Sequence, residues 1–194
     1  MQELCELIHA SSTQFDHVNV STVFRKVLKM SRRGGSQDTV VKALRTLEDS
    51  ALQNIHDFGS KGIANTLHIM TKERYYKPQE TVLLALEGRV ESISGEFNEQ
   101  DVANTLWAFA AMGKKSGERM LGQLEGWTEA ISGDFNAQDV TNTLWSMFFF
   151  CLHLSVVHCD FLSSLVSVAS RRFSQFLAGL NRLDICQVHQ FFIA

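Results

Sequence analysis

The sequence Gly95-Glu96-Phe97-Asn98-Glu99-Gln100-Asp101-Val102-Ala103-Asn104-Thr105-Leu106-Trp107 returns almost unchanged as Gly133-Asp134-Phe135-Asn136-Ala137-Gln138-Asp139-Val140-Thr141-Asn142-Thr143-Leu144-Trp145. The two copies lie 38 residues apart. Close similarity at a fixed period of a few tens of residues is typical of stacked repeat proteins, in which each unit buries its apolar face against its neighbours. The stretch therefore predicts a repeat protein.

Each copy has the pattern of a helix N-terminus. Asn98 is suited to cap the first turn, and Asp101 three residues later is favoured by the positive end of the helix dipole. Phe97 before the cap and Val102 at the fourth helical position form the pair known as a hydrophobic staple. We expect a helix, named helix B, over Gln100 to Met112.

A second helix, named helix A, is predicted before each helix B. Glu80 to Ile93 has apolar residues at helical spacing, and Glu118 to Ile131 repeats them in the same register. The single proline of the chain, Pro78, lies just before the earlier helix, where its missing N–H costs nothing. One helix A and one helix B make one repeat.

The repeat extends toward the N-terminus through the pairs Phe58 with Ile63 and Phe15 with Val20. We predict an all-α, right-handed α-solenoid of about five helix-turn-helix repeats, the last incomplete, forming a single domain over 1–194. Helix A of the first two repeats is expected at Gln2 to Ala10 and Asp38 to Ile55. The repeats span approximately residues 1–33, 36–76, 77–115, 116–154 and 155–194.

Composition sets limits on the class of protein. The net charge of −3 does not indicate nucleic acid binding. Four cysteines without a Cys-x-x-Cys pattern are typical of reduced thiols. The first 24 residues contain no Lys or Arg, which does not match a transit or signal peptide, so we expect either that none exists or that the sequence begins downstream of one, and a cytoplasmic location stays open. The apolar run from Ser146 to Val157 is shorter than the ~20 residues that a bilayer requires, so we expect no membrane span.

The pattern Phe-Asn-x-Gln-Asp-Val-x-Asn-Thr-Leu-Trp at a 38-residue period resembles octotricopeptide repeats, the helical-pair repeats of organellar RNA-binding proteins. Leu4 to Met30 is also similar to the first repeat of FAST-kinase-like proteins, and Cys186 to Phe192 resembles a terminal repeat of such arrays. The resemblance implies sequence-selective binding of single-stranded RNA in a mitochondrion or chloroplast, with roles in RNA processing, stability or translation. No segment matches the RAP domain that often follows such arrays.

Amide side chains recur on helix B and are the first candidate RNA contacts. Asn65, Asn104 and Asn142 occupy one position, and Gln187 takes the corresponding place in the last repeat. These amides could contact base edges, one repeat per base. They could instead form a ladder that ties each helix to the next repeat, and we favour the ladder for the Asn residues because buried amides usually have protein partners. For Gln100 and Gln138, one turn earlier, we favour contact with a ligand.

Cations follow the ends of several B helices. Arg32 and Arg33 in the first repeat and Lys114 and Lys115 in the third occupy the same register, and Lys72, Arg74 and Lys77 lie close to it in the second. The negative end of the helix dipole alone explains cations at such positions. A row of them at the repeat spacing would also suit the phosphates of RNA. Both interpretations stay open.

Other chemistry is not indicated. Trp107 and Trp145 are expected in the packing between repeats rather than on bases, because they neighbour alanines on the helical wheel. Cys151, His153, His158 and Cys159 match no standard zinc spacing. No catalytic motif is present, so we expect no enzyme, cofactor, metal or small-molecule substrate. The alternative function is a protein-protein interaction scaffold, since similar solenoids bind peptides on concave surfaces.

Overall fold

The protein is described by a computed structural model that covers residues 2–11, 15, 17–31, 36–71, 76–114, 117–131 and 134–154. These residues form α-helices, short 3-10 turns and connecting segments, and no strand occurs among them. The fold is therefore all-α, as predicted. The chain has two compact units, residues 1–93 and 94–194, which are called the N-terminal and C-terminal units below.

Helices A and B alternate along the described chain, close to the predicted bounds. The first two repeats contain α1 (Gln2–Ser11), α2 (His17–Ser31), α3 (Gln37–Gln53) and α4 (Ser60–Met70). The next two contain α5 (Glu80–Ile93), α6 (Glu99–Ala111), α7 (Glu118–Ile131) and α8 (Ala137–Leu154). The predicted bounds of α5 and α7 are confirmed, whereas α3 ends two residues before the predicted Ile55, which begins a 3-10 turn. The predicted fifth repeat lies outside the described residues.

The connection from helix A to helix B is built alike in successive repeats. A 3-10 turn, Ile55–Asp57 or Ser94–Glu96, leads into a buried Phe58 or Phe97, and helix B begins two residues later. The side chain of Asn98 accepts a 2.8 Å hydrogen bond from the Asp101 amide. Asn136 does the same for the amide of Asp139, which confirms the predicted caps. Gly59 has no side chain with which to cap α4.

Helices of the same kind pack against one another. In the N-terminal unit α1 packs on α3, α3 packs on α5, and α2 packs on α4, while α6 packs on α8 in the C-terminal unit. The apolar faces of these helices are buried, each large side chain contributing roughly 1.5–3 kcal/mol relative to exposure. The fully buried members include Phe24, Leu44, Leu47, Ile63, Leu67, Phe97, Phe109 and Phe135.

The backbone carbonyl of the Phe before helix B accepts a hydrogen bond from a later side chain in three repeats. Asn54 Nδ2 donates to Phe15 at 2.9 Å, Arg89 Nε donates to Phe58 at 2.9 Å, and Trp127 Nε1 donates to Phe97 at 2.6 Å. This carbonyl lies in extended backbone just outside the helix, where no intrahelical donor reaches it. The donors link each repeat to the helix A that follows.

A buried carboxylate fixes the entry to α5. Glu48 of α3 is fully buried, and its oxygens accept hydrogen bonds from Tyr76 Oη (2.6 Å), Gln79 N (2.8 Å) and Gln79 Nε2 (2.9 Å). Arg45 Nη1 pairs with the same carboxylate at 2.7 Å. Burial beside this negative charge raises the pKa of Tyr76 far above its ordinary value, so the phenol remains a hydrogen-bond donor. The charge is thus paired and fully hydrogen-bonded, as a buried carboxylate requires.

The apolar run considered for a membrane span, Ser146 to Val157, belongs to α8 as far as Leu154, and its remaining residues lie outside the described part of the chain. Among the helices that the structure describes, none is both long enough and apolar enough to cross a bilayer.

Candidate nucleic-acid interface

One strip of helix B in the C-terminal unit contains amide and aromatic side chains, some exposed and some buried. On α6 it consists of Gln100, Asn104, Trp107 and Ala111, and on α8 of Gln138, Asn142, Trp145 and Phe149. Residues at this spacing lie on one helix face. Gln100 and Gln138 are exposed, whereas the tryptophans are half-buried. We call this set of positions the helix-B strip.

The strips of α6 and α8 lie side by side and in register. The ring centroids of Trp107 and Trp145 are 6.3 Å apart, and those of Trp145 and Phe149 are 5.8 Å apart with an interplanar angle of 24°. The tryptophans therefore contact each other across the repeats, as predicted. However, both rings are half-buried rather than fully buried.

The recurring asparagines have different environments. Asn65 and Asn104 are half-buried, whereas Asn142 is only 7% exposed. The amide oxygen of Asn142 has no hydrogen-bond partner in the described part of the chain. A ladder that uses this oxygen to tie α8 to another repeat is thus not seen among the described residues, and the role of the asparagines stays a prediction.

In the N-terminal unit the equivalent positions of helix B are partly cationic. On α2 they are Val18, Thr22, Arg25 and Lys29, all exposed, with Lys26 exposed beside them. On α4 they are Lys61, Asn65 and His68. Neither α2 nor α4 contains an acidic residue. We call Arg25, Lys26, Lys29 and Lys61 the basic cluster.

The basic cluster was not predicted from the sequence, because cations were considered only where they followed a helix end. The signal was present, since two successive B helices contain Lys or Arg and no Asp or Glu. The A helices of the same unit do contain acids, namely Glu3, Glu6, Asp38, Glu48, Asp49, Glu80, Glu87 and Glu91. Within the helices of this unit the acids therefore lie only on the A helices, which also contain Lys42, Arg45 and Arg89, whereas the B helices contain only basic charge.

Most of the predicted edge cations cannot be placed. Arg32, Arg33 and Lys115, together with the amide candidate Gln187, lie outside the described residues. Lys114 follows α6 and is half-buried. Its backbone amide donates to Phe109 O at 3.1 Å beside Gly113, whose φ of 64° ends the helix in the left-handed conformation that glycine adopts readily. The predicted row of edge cations stays a prediction.

Carboxylates occupy the N-terminal ends of α6 and α8. Asp101 and Asp139 are both buried at the third helical position. Burial raises the pKa of Asp139, a hydrogen bond with the Asn136 backbone opposes this, and the negative charge of Glu99 raises the pKa further. Neither α6 nor α8 contains Lys or Arg. The strip of the C-terminal unit is consequently amide and aromatic rather than cationic.

No cluster of three potential metal ligands occurs in the ranges that the structure describes. His158 and Cys159 of the Cys/His group considered above fall outside those ranges.

Comparison with known proteins gives one family match. A family model described as a protein of unknown function (DUF1601) matches residues 39–67, 94–106 and 133–144. The three matched segments end at Leu67, Leu106 and Leu144, which occupy one position of the repeat. The match covers well under half of the chain and supports a repeated unit without assigning it a function. No curated protein matches the chain.

Proposed function

We propose that this protein binds single-stranded RNA through the helix-B strip, with sequence selectivity, in organellar RNA processing, stability or translation. The observation that supports it best is the basic cluster on α2 and α4, which faces solvent and has no acidic neighbour within those helices. Phosphates are attracted to exposed Lys and Arg side chains irrespective of the total charge of the chain.

The amides of the C-terminal unit supply the second part of the proposal. Gln100 and Gln138 are exposed at equivalent positions one repeat apart. An amide offers both a donor and an acceptor, which suits the edges of unpaired bases. In this proposal successive B helices line the inner surface of a right-handed α-solenoid, and their strips contact successive nucleotides.

The competing proposal is a protein-protein interaction scaffold. Leu7 of α1 and Leu84 of α5 are large apolar residues on A helices, 62% and 56% exposed. A partner protein that binds these two leucines would contact the A helices, whereas the proposed RNA contacts lie on the B helices. The two functions therefore predict different sensitive residues.

Fluorescence anisotropy with a labelled pool of random single-stranded RNA tests the proposal. We expect binding at low salt. Arg25→Ala/Lys29→Ala should weaken it and reduce the steepness of its logarithmic salt dependence by about 0.7 for each phosphate that is no longer neutralised. Lys42→Ala, an exposed cation on helix A, is the matched control and should change neither quantity. Absence of binding by the wild type, or equal effects of both variants, would favour the scaffold.

A further inference from the structure

Trp107 and Trp145 are only half-buried, although small residues beside Trp107 are fully buried. Trp107 and Trp145 contact each other, and Phe149 stacks on Trp145, so three aromatic rings form a continuous row across α6 and α8. The alanines beside Trp107 at positions 103, 108 and 110 are fully buried, whereas the indole is not. The small side chains pack the helices together and leave the rings at the surface.

We propose that Trp107 and Trp145 form a stacking site for an unpaired nucleobase, an inference that rests on the proposed RNA binding and assigns the bases a place in it. The base stacks against the accessible surface of the tryptophan pair. Stacking of this kind tolerates every base, since every base has a π-face. Adenine and guanine have the larger face, so purines are favoured.

The charge distribution agrees with base binding by α6 and α8 and phosphate binding by α2 and α4. The site has no cation within α6 or α8 and could not hold a phosphate strongly. The basic cluster of α2 and α4 could hold phosphates and offers no tryptophan. Affinity from phosphates and affinity from bases therefore depend on different residues and can be separated by mutation.

The experiment compares two fluorescent probes of equal length on the full chain, a short oligoadenylate and an abasic ribose-phosphate chain. We expect the wild type to prefer the oligoadenylate by about tenfold or more. Trp145→Leu should reduce this preference to about twofold or less without changing the affinity for the abasic chain, and Trp145→Phe should retain most of it. Arg25→Ala/Lys29→Ala should lower the affinity for both probes by the same factor.

Melting curves of each variant establish that it is folded. If Trp145→Leu fails to fold, Trp107→Leu provides the second variant, and its preference for the oligoadenylate over the abasic chain should fall in the same way. Equal wild-type affinity for the two probes would overturn the stacking site while leaving RNA binding intact. An undiminished preference for the oligoadenylate in both tryptophan variants would also overturn the stacking site while leaving RNA binding intact. If the wild type binds neither probe, the proposed RNA binding is overturned together with the stacking site.

Discussion

At the scale of single residues, Glu48 has the most demanding environment of the described chain. Its carboxylate is fully buried and depends on Arg45, Tyr76 and Gln79 for its partners. We expect Glu48→Ala to lower the free energy of unfolding by about 3–5 kcal/mol, because it leaves the phenol of Tyr76 buried without an acceptor and the guanidinium of Arg45 without its ion pair. Chemical denaturation measures this change.

Asp49, the next residue on α3, provides the control because it is exposed. Asp49→Ala should change the free energy of unfolding by about 0.5 kcal/mol or less. A similar small change for Glu48→Ala would show that the carboxylate is not buried in solution.

Gln100 and Gln138 are the residues for which a role in base recognition was predicted, and their exposure is compatible with it. Changing both to Ala should alter the ratio of affinities for preferred and scrambled RNA, with little effect on the salt dependence. Competition binding at two salt concentrations measures both quantities. A uniform loss of affinity for all sequences would assign these amides to the sugar-phosphate backbone instead.

Asp139 gives a pH dependence whose sign follows from its environment. Its pKa in the folded protein is raised above the ordinary value of 3.8, chiefly by burial. Stability from such a group is fully present below the unfolded pKa and is lost as the pH rises through the folded pKa. The wild type should therefore gain free energy of unfolding relative to Asp139→Asn as the pH falls from neutral to about 4. A pH-independent difference between the two would contradict this.

At the scale of helices and turns, the local sequence pattern was sufficient to predict helix bounds and N-caps, because these depend on residues within one repeat. The bounds of α5 and α7 and the caps Asn98 and Asn136 follow from spacing and from side chains within a few residues. The links to the Phe carbonyls could not be predicted, because the donor is Asn54, Arg89 or Trp127 in different repeats. Three chemically unlike donors leave no shared sequence signal.

The same limit applies to Glu48 and to the tryptophans. Glu48 resembles any helical glutamate until Tyr76 and Gln79, about 30 residues away, are brought to it. The helical-wheel pattern predicts Trp107 near the packed face of helix B, but it does not predict how deeply the indole is buried there. Both features depend on packing between elements, which periodicity does not specify.

Trp127 tests whether the carbonyl links contribute to stability. Trp127→Phe retains an aromatic ring against Gly95 but removes the donor to Phe97 O. We expect a loss of about 1–2 kcal/mol in the free energy of unfolding beyond that of Trp145→Phe, whose indole has ring contacts but no described hydrogen bond. Equal losses in the two variants, measured by urea denaturation, would show that the link contributes nothing.

At the scale of the whole molecule, the two kinds of helix differ in the surface that they present. In the N-terminal unit the A helices contain the acids and the B helices contain only basic charge. In the C-terminal unit the B helices present amides and aromatic rings instead. The net charge of −3 therefore does not describe the local charge of the B helices, which is why composition alone gave no indication of the basic cluster.

RNA binding by the B helices is tested most directly by ultraviolet crosslinking of thiouridine-substituted single-stranded RNA to the full chain. The crosslinked peptides are mapped by mass spectrometry. We expect crosslinks within α2, α4, α6 and α8, including the segments that contain Arg25 and Trp145, and we expect unlabelled single-stranded RNA to abolish them by competition. Crosslinks confined to α1, α3, α5 and α7, or none that single-stranded RNA can compete away, would contradict RNA binding through the helix-B strip.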